Sequence, residues 1–154
     1  MRFSWVEYTS EYNAFADSCL DDEAKRFTGC DDGFEEFYNY WANEPDMKVG
    51  ENFWSKIILD NRTPIGIIAV SLWDGLFTIM ELMISPNKRK QGIGTAVISE
   101  LLNHSKVILG YEIENAKAVI FPNNIASQRA FEKAGFKFES EHVDGDAWYY
   151  EFKK

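Results

Sequence analysis

Residues 79–102 read "IMELMISPNKRKQGIGTAVISELL", and the way this stretch divides decides how the rest of the chain is arranged. The apolar run "LFTIMELMI" (76–84) predicts a strand buried on both faces, ended by Ser85-Pro86-Asn87. Three cations, Lys88, Arg89 and Lys90, stand directly in front of Gly92-Ile93-Gly94. Val97, Ile98, Leu101 and Leu102 then recur at helical spacing. A strand, a glycine loop and a helix in this order form a general anion site. Free N–H groups point outward from a helix N-terminus, and the helix dipole favours negative charge there. Two nucleotide fingerprints fail. The sixth position from Gly92 is Val97, not the glycine of G-x-G-x-x-G, and Gly94 is followed by Thr95-Ala96 where a P-loop needs Lys and Ser or Thr.

Upstream, "RFSWVEY" alternates as a short strand and "SEYNAFADSCL" reads as a helix with Tyr12, Phe15, Ala16 and Cys19 on one face. In "DDGFEEFYNYWANEP", Asp32 and Glu35 fit a capping box, and Phe34, Phe37, Tyr38 and Trp41 recur as a core-facing stripe ended by Pro45. "NFWSKIIL" and "IGIIAVSLW" are strands around a "DNRTP" turn, and Asp74-Gly75 signals a second hairpin. Downstream, "KAVIF" is a strand stopped by Pro122, and "NIASQRAFEKAG" is a helix with Gly135 as its C-cap. "FKFESEHV", a turn at Asp144-Gly145-Asp146 and "AWYYEF" form a final hairpin. With no repeat and no linker, a single mixed α+β domain over 1–154 is expected.

Composition narrows the function classes. Hydrophobic residues make up 45% of the 154, with 10 Gly and 4 Pro, which suits an ordered globular chain. No apolar run approaches the ~18 residues of a membrane span. The opening "MRFSWVEYTS" lacks a signal-peptide core, so a cytoplasmic protein is expected. Cys19 and Cys30 form no disulfide framework, and His104 and His142 share no ligand spacing; no metal is expected. The formal charge is -9, and all of that excess lies in residues 1–46. Such a field repels nucleic acid and anionic membrane and attracts cations. It is either ordinary solubilising charge or part of a site.

Arg89-x-x-Gly92-x-Gly94 at the start of a helix, together with Asn124, Ser127, Phe131, Glu132, Lys133, Gly135 and Phe136 in "FPNNIASQRAFEKAGF" (121–136), resembles the two motifs of the GNAT superfamily of acetyl-CoA-dependent N-acetyltransferases. The pattern "NIAS" looks like the ribosomal-protein N-terminal acetyltransferase branch. The element order of nearly the whole chain fits as well. The resemblance implies a GNAT fold: a mixed, mostly antiparallel sheet with splayed central parallel strands, flanked by helices. It implies that backbone N–H groups of Gln91, Gly92, Ile93, Gly94 and Thr95 cradle the coenzyme A pyrophosphate, with Lys88, Arg89 and Lys90 adding positive potential. Met83 and Ile84 would pair with the pantetheine arm. Asn124, which is equally a plain N-cap, would hold the arm's far end, and Ser127, Phe131 and Lys133 would complete the coenzyme site.

The implied reaction is direct attack of an amine on the acetyl thioester. An alkylamine is mostly protonated at neutral pH, so a base or a water chain must take a proton. Glu81, alternating with Ile79 and Met83 among apolar neighbours, is either that base, with a pKa raised by burial, or half of a structural ion pair. Asp74 and the Asp144–Asp146 turn are weaker candidates. Backbone N–H groups at a strand bulge near Met83 or Ile84 would stabilise the oxyanion. Many family members protonate the leaving thiolate from a tyrosine where this chain has Phe131. Ser127, one turn earlier on the same face, either takes over that role or merely hydrogen-bonds coenzyme A or the backbone.

In this fold the N-terminal helices shape the acceptor site. Here they hold Asp21, Asp22, Glu23, Asp31, Asp32, Glu35 and Glu36, which implies a small cationic amine or a basic peptide N-terminus as acceptor, with Tyr38 and Trp41 able to add cation–π contacts. The other reading is a non-catalytic acetyl-CoA sensor, supported by Phe131. An edge-forming "AWYYEF" strand suggests a homodimer.

Overall fold

Two tight turns organise the middle of the chain in the computed structural model, which describes residues 1–142, Gly145 and 147–154. At Asn61-Arg62 and Asp74-Gly75 both central residues have positive φ, the backbone that two-residue hairpin loops demand. These turns join β2 (Phe53–Asp60), β3 (Thr63–Trp73) and β4 (Leu76–Ile84) into an antiparallel meander, with β1 (Ser4–Glu7) added beside β2. After β4 the sheet turns parallel: β5 (Asn115–Ile120) runs alongside it, followed by β7 (Trp148–Lys153) and β6 (Lys137–Glu141), both antiparallel. The seven strands lie in the order β1-β2-β3-β4-β5-β7-β6. This is the mixed α+β architecture expected. The C-terminal strand is not the sheet edge, however. β7 lies between β5 and β6, because the hairpin it forms with β6 docks on β5 through β7. Of the expected turn Asp144-Gly145-Asp146, both aspartates lie outside the described residues.

Helices cover both faces. On one side α1 (Asn13–Cys19) and α3 (Phe34–Ala42) pack over a core that includes Ala16, Cys19, Phe34, Ile57, Ile67, Ala69 and Met83, while the short α2 (Asp22–Lys25) between them in the chain buries no residue. On the other, α4 (Ile93–Leu109) and α5 (Ile125–Lys133) cover Ile58, Ile68, Val70, Phe77, Ile79 and Tyr150. The aromatic stripe of α3 does face the core: Phe34 is buried, and Phe37, Tyr38 and Trp41 pack against it. Its capping box is absent. The N-cap is Gly33 at φ 100°, without a side-chain cap bond, and Glu35 instead accepts from the Asn13 amide.

Strand β4 contains the fold's decisive irregularity. Ala69 pairs with Glu81 and Val70 with Ile79, leaving Met80 as the extra residue of a bulge. Two bulged residues opposing one reverse the alternation beyond them. Phe77 and Ile79 therefore face α4, and Met80 and Met83 face the N-terminal helices. The sequence expectation that Glu81 shares a face with Ile79 fails for this reason, since an unbroken alternation was assumed. The bulge also lies further upstream than the expected position near Met83 or Ile84.

Parallel pairing of β4 with β5 is confined to Thr78↔Lys117 and Ile79↔Ala118. Beyond those pairs the two strands diverge. At the far end of β4 the backbones crowd instead, since a Cβ on Gly66 would lie 2.8 Å from the Met83 carbonyl oxygen.

Candidate active site

The divergence of β4 and β5 opens a cleft of about 420 Å³, lined by Ile79–Ile84 from β4 and by Val119–Phe121 at the end of β5. The N-terminal end of α4 and the cleft-facing side of α5 close one side of it. Glu23, Ala24, Phe27 and Thr28, from α2 and the segment after it, close the other.

At the mouth of α4 the chain makes room for an anion. Lys90 (φ 62°) and Gly92 (φ 75°) both adopt left-handed backbone, which turns the loop sharply into the helix; at Gly92 a Cβ would meet nothing within 4 Å. No side chain caps this helix. Its first N–H groups therefore have no intrahelical acceptor and retain the positive end of the helix dipole. Lys88, Lys90, Gly92, Ile93, Gly94 and Thr95 all line the cleft. Gln91 does not, and its side-chain amide donates to the Asn87 carbonyl. Lys88, Lys90 and Lys133 make no ion pair with any described residue, whereas Arg89 is engaged with the opposite wall. Its Nε donates to the Ile84 carbonyl at 3.0 Å, Nη2 to the Cys19 carbonyl at 2.9 Å, and Nη1 to both Asp21 oxygens at 2.9 and 2.7 Å.

Facing α4 across the cleft is the start of α5. Asn124 accepts the Ser127 N–H at 3.2 Å, so the plain N-cap role is present. Ser127 is half-buried and lines the cleft, and Phe131 is buried edge-on against Phe136. The structure thus brings together Glu81, Met83, Ile84, the α4 mouth, Asn124, Ser127, Phe131 and Lys133 around one cleft.

Glu81 lies on the cleft floor. The bulge directs its side chain toward the segment before α3, where the Gly29 N–H donates to Oε1 at 2.7 Å. Burial pushes its carboxyl up to about 7, and the Gly29 hydrogen bond pulls in the opposite direction. No cation pairs with it among the described residues, so the ion-pair reading has no partner. A carboxyl balanced near neutrality can take a proton from an ammonium group and release it again. Asp74 belongs to the distant β3–β4 turn.

Residues that sequence reasoning missed belong to the wall facing α4 and α5 and its contact with Glu81: Phe27, Thr28 and Gly29. "RFTGC" carries no motif; only its fold-back onto Glu81 gives it a role. The acidic residues of this region divide. Glu23 lines the main cleft. Asp21 caps α2 through the Ala24 N–H and receives Arg89, and these contacts hold its carboxyl below the usual range against partial burial. Asp31, Asp32 and Glu36, with Phe37, Tyr40 and Trp41, line a second cavity of about 500 Å³ that begins at Gly29.

A model of a family described as "Acetyltransferase (GNAT) family" matches residues 6–136. No curated protein matches the sequence. Among solved structures, a domain from Methanocaldococcus jannaschii shares 24% identity at a TM-score of 0.73, covering 99% of this chain and 98% of that one. AAC(6')-Ib in complex with ribostamycin and coenzyme A shares 18% identity at a TM-score of 0.76, covering 100% and 94%. A chimera of spermidine N-acetyltransferase SpeG from Vibrio cholerae and hSSAT shares 13% at 0.70, covering 99% and 96%. At such identities the likeness is one of fold.

Proposed function

The chain belongs to the acetyltransferase (GNAT) family, and from that premise we propose that it moves an acetyl group from acetyl-CoA to a primary amine of a small cationic molecule. The observation that carries this reading is Glu81, a carboxyl poised near neutrality on the floor of a cleft whose other side is an uncapped helix mouth. The cleft suits the coenzyme: open space at Gly92, free N–H groups at the start of α4, and Lys88, Lys90 and Lys133, which pair with no acid among the described residues, match a pyrophosphate and its flanking phosphate. The N–H groups of Gly92 to Thr95, which line the cleft, would hold the pyrophosphate. The β4 edge at Met83 and Ile84 and the α5 residues Asn124, Ser127 and Phe131 would hold the arm. Bound acetyl-CoA would supply the activated acyl group.

The chain's own residues do the rest. Glu81, ionised above about pH 7, takes the proton from the incoming ammonium and leaves a nucleophilic amine. The Gly29 N–H fixes the carboxylate's orientation. Ser127, across the cleft on α5, would relay a proton to the departing sulfur and regain one from the nitrogen of the collapsing adduct, so that thiol and amide both leave neutral. Asp31, Asp32 and Glu36, beside Tyr40 and Trp41, attract the remaining positive charge of the acceptor. Structures bound to ribostamycin or belonging to a spermidine acetyltransferase share this fold, which supports a polycationic amine. The "NIAS" pattern at the start of α5 favours a basic peptide N-terminus as the second reading.

Thiol release from acetyl-CoA over a panel of polyamines, aminoglycosides, amino acids and basic peptides separates the two. Turnover with polyamines or aminoglycosides upholds the first reading, and turnover with peptides alone replaces it with the second. A panel silent above background hydrolysis refutes both.

A further inference from the structure

Three consecutive cations line the cleft at the helix mouth, and the middle one alone is bonded to the opposite wall. The Arg89 fork joins three chain ends at once: the last residue of β4 through the Ile84 carbonyl, the last residue of α1 through the Cys19 carbonyl, and the N-cap of α2 through Asp21. Glu23 stands 3.7 Å from the same guanidinium nitrogen. With its side chain only 20% exposed, this is a planar, directional arrangement that a lysine cannot reproduce. From Asp21 the chain runs through α2 to Gly29, whose N–H returns to β4 at Glu81. Residues 21–29 thus form a span fixed to β4 at both ends, and Glu23, Ala24, Phe27 and Thr28 within it line the cleft.

We propose that Arg89 is a positioning residue for the amine acceptor: by clamping Asp21 and Cys19 to the end of β4, it sets the wall against which the amine lies, while Lys88 and Lys90 are left to meet the phosphates. This rests on the acetyl transfer proposed above. The consequence is a division of labour inside one cation run. Loss of Lys88 or Lys90 weakens the coenzyme, whereas loss of the Arg89 fork weakens the amine. It also gives the acidic N-terminal region a structural function, since Asp21 compensates a charge that would otherwise add to the phosphate field.

The test uses Arg89→Lys, Asp21→Asn and the double variant in the full chain. It reads three quantities: the KM of the best amine against that of acetyl-CoA, the coenzyme A dissociation constant by calorimetry, and amide hydrogen exchange. Each single variant is expected to raise the amine KM about tenfold, the scale of a lost charge-assisted hydrogen bond. Coenzyme A affinity should stay within about twofold. Exchange should accelerate over residues 21–29 and not in α4 or α5. The double variant should be no worse than the worse single one, because both changes break the same contact. Weaker coenzyme A binding with an unchanged amine KM would overturn the proposal and make Arg89 a phosphate ligand. Unchanged exchange over 21–29 would overturn it as well. Should no amine be acetylated by the wild-type protein, the acetyl-transfer reading falls, yet calorimetry and exchange still decide whether Arg89 serves the wall or the phosphates. Asp21→Asn, which leaves the Arg89 bonds to both carbonyls available, is the variant to read if Arg89→Lys fails to fold.

Discussion

On the α4 side of the cleft, the groups offered to a ligand belong mainly to the backbone, namely the first N–H groups of a helix opened by a left-handed glycine. Opposite, in the α2 wall of the cleft and in the separate cavity before α3, they belong to side chains, Glu23 in the first and carboxylates with aromatic rings in the second, held on short elements tied together by hydrogen bonds and one guanidinium. The contrast teaches why the two sides differ in what they can recognise. Backbone N–H groups read an invariant anion and tolerate almost any side chain around them. Carboxylates and rings read charge and shape, and change with every substitution. Glu81 stands where the two meet, on the strand that divides them.

The largest effect should come from that meeting point. Glu81→Gln is expected to lower kcat/KM by about 10²–10⁴-fold, the usual share of a general base, with coenzyme A affinity unchanged by calorimetry. Wild-type activity should rise with pH through about 7, the value to which burial pushes the carboxyl, and the variant should lose that limb. A carboxyl raised from 4.5 to about 7 binds its proton more tightly in the folded state. Its contribution to stability therefore falls as pH climbs between those values. Thermal unfolding of Glu81→Gln should show a flatter profile over that range.

Next comes the backbone side alone. Gly92→Val forces a β-branched residue into left-handed backbone, at about 1–2 kcal/mol, and should weaken coenzyme A about tenfold without altering amine selectivity. The side-chain wall is the converse case. Replacing Asp31 and Asp32 with Asn, and Glu36 with Gln, should raise the KM of polycationic amines several-fold, leave that of acetyl-CoA alone, and matter less as salt is added. Smallest in function is a change behind α4. Glu100 accepts the backbone N–H of Phe3 and the Trp5 indole, so Glu100→Ala should cost about 1–3 kcal/mol in chemical denaturation with both KM values intact. An altered amine KM in that variant would show that the two walls are not independent.

The same division governs what could be read in advance. The glycine loop, its helix and the second motif are local signals, because glycine placement and helical periodicity are properties of neighbours in sequence. Asp74-Gly75 and the α3 stripe were legible on those grounds too. The Gly29 contact to Glu81 and the Arg89 contact to Asp21 join residues far apart in sequence, and nothing local encodes them. Met80 misled for a different reason: a bulge leaves the residue types of a strand unaltered and changes only their phase. Gly33 displaced the expected cap because it enters α3 with a backbone that Asp32 would resist.

That one extra residue in β4 also makes the strand count by parity. A substitution at Met80 alters one side chain, and its deletion would take out the bulge alone, because Ile79 and Glu81 already oppose consecutive residues of β3. A deletion elsewhere in β4 has no such spare residue to absorb it: loss of Leu82, for example, would move Met83 into its place under α4 and turn Ile84 toward the N-terminal helices. For anyone recombining or shortening this chain, the length of β4 is therefore a stricter inheritance than its composition.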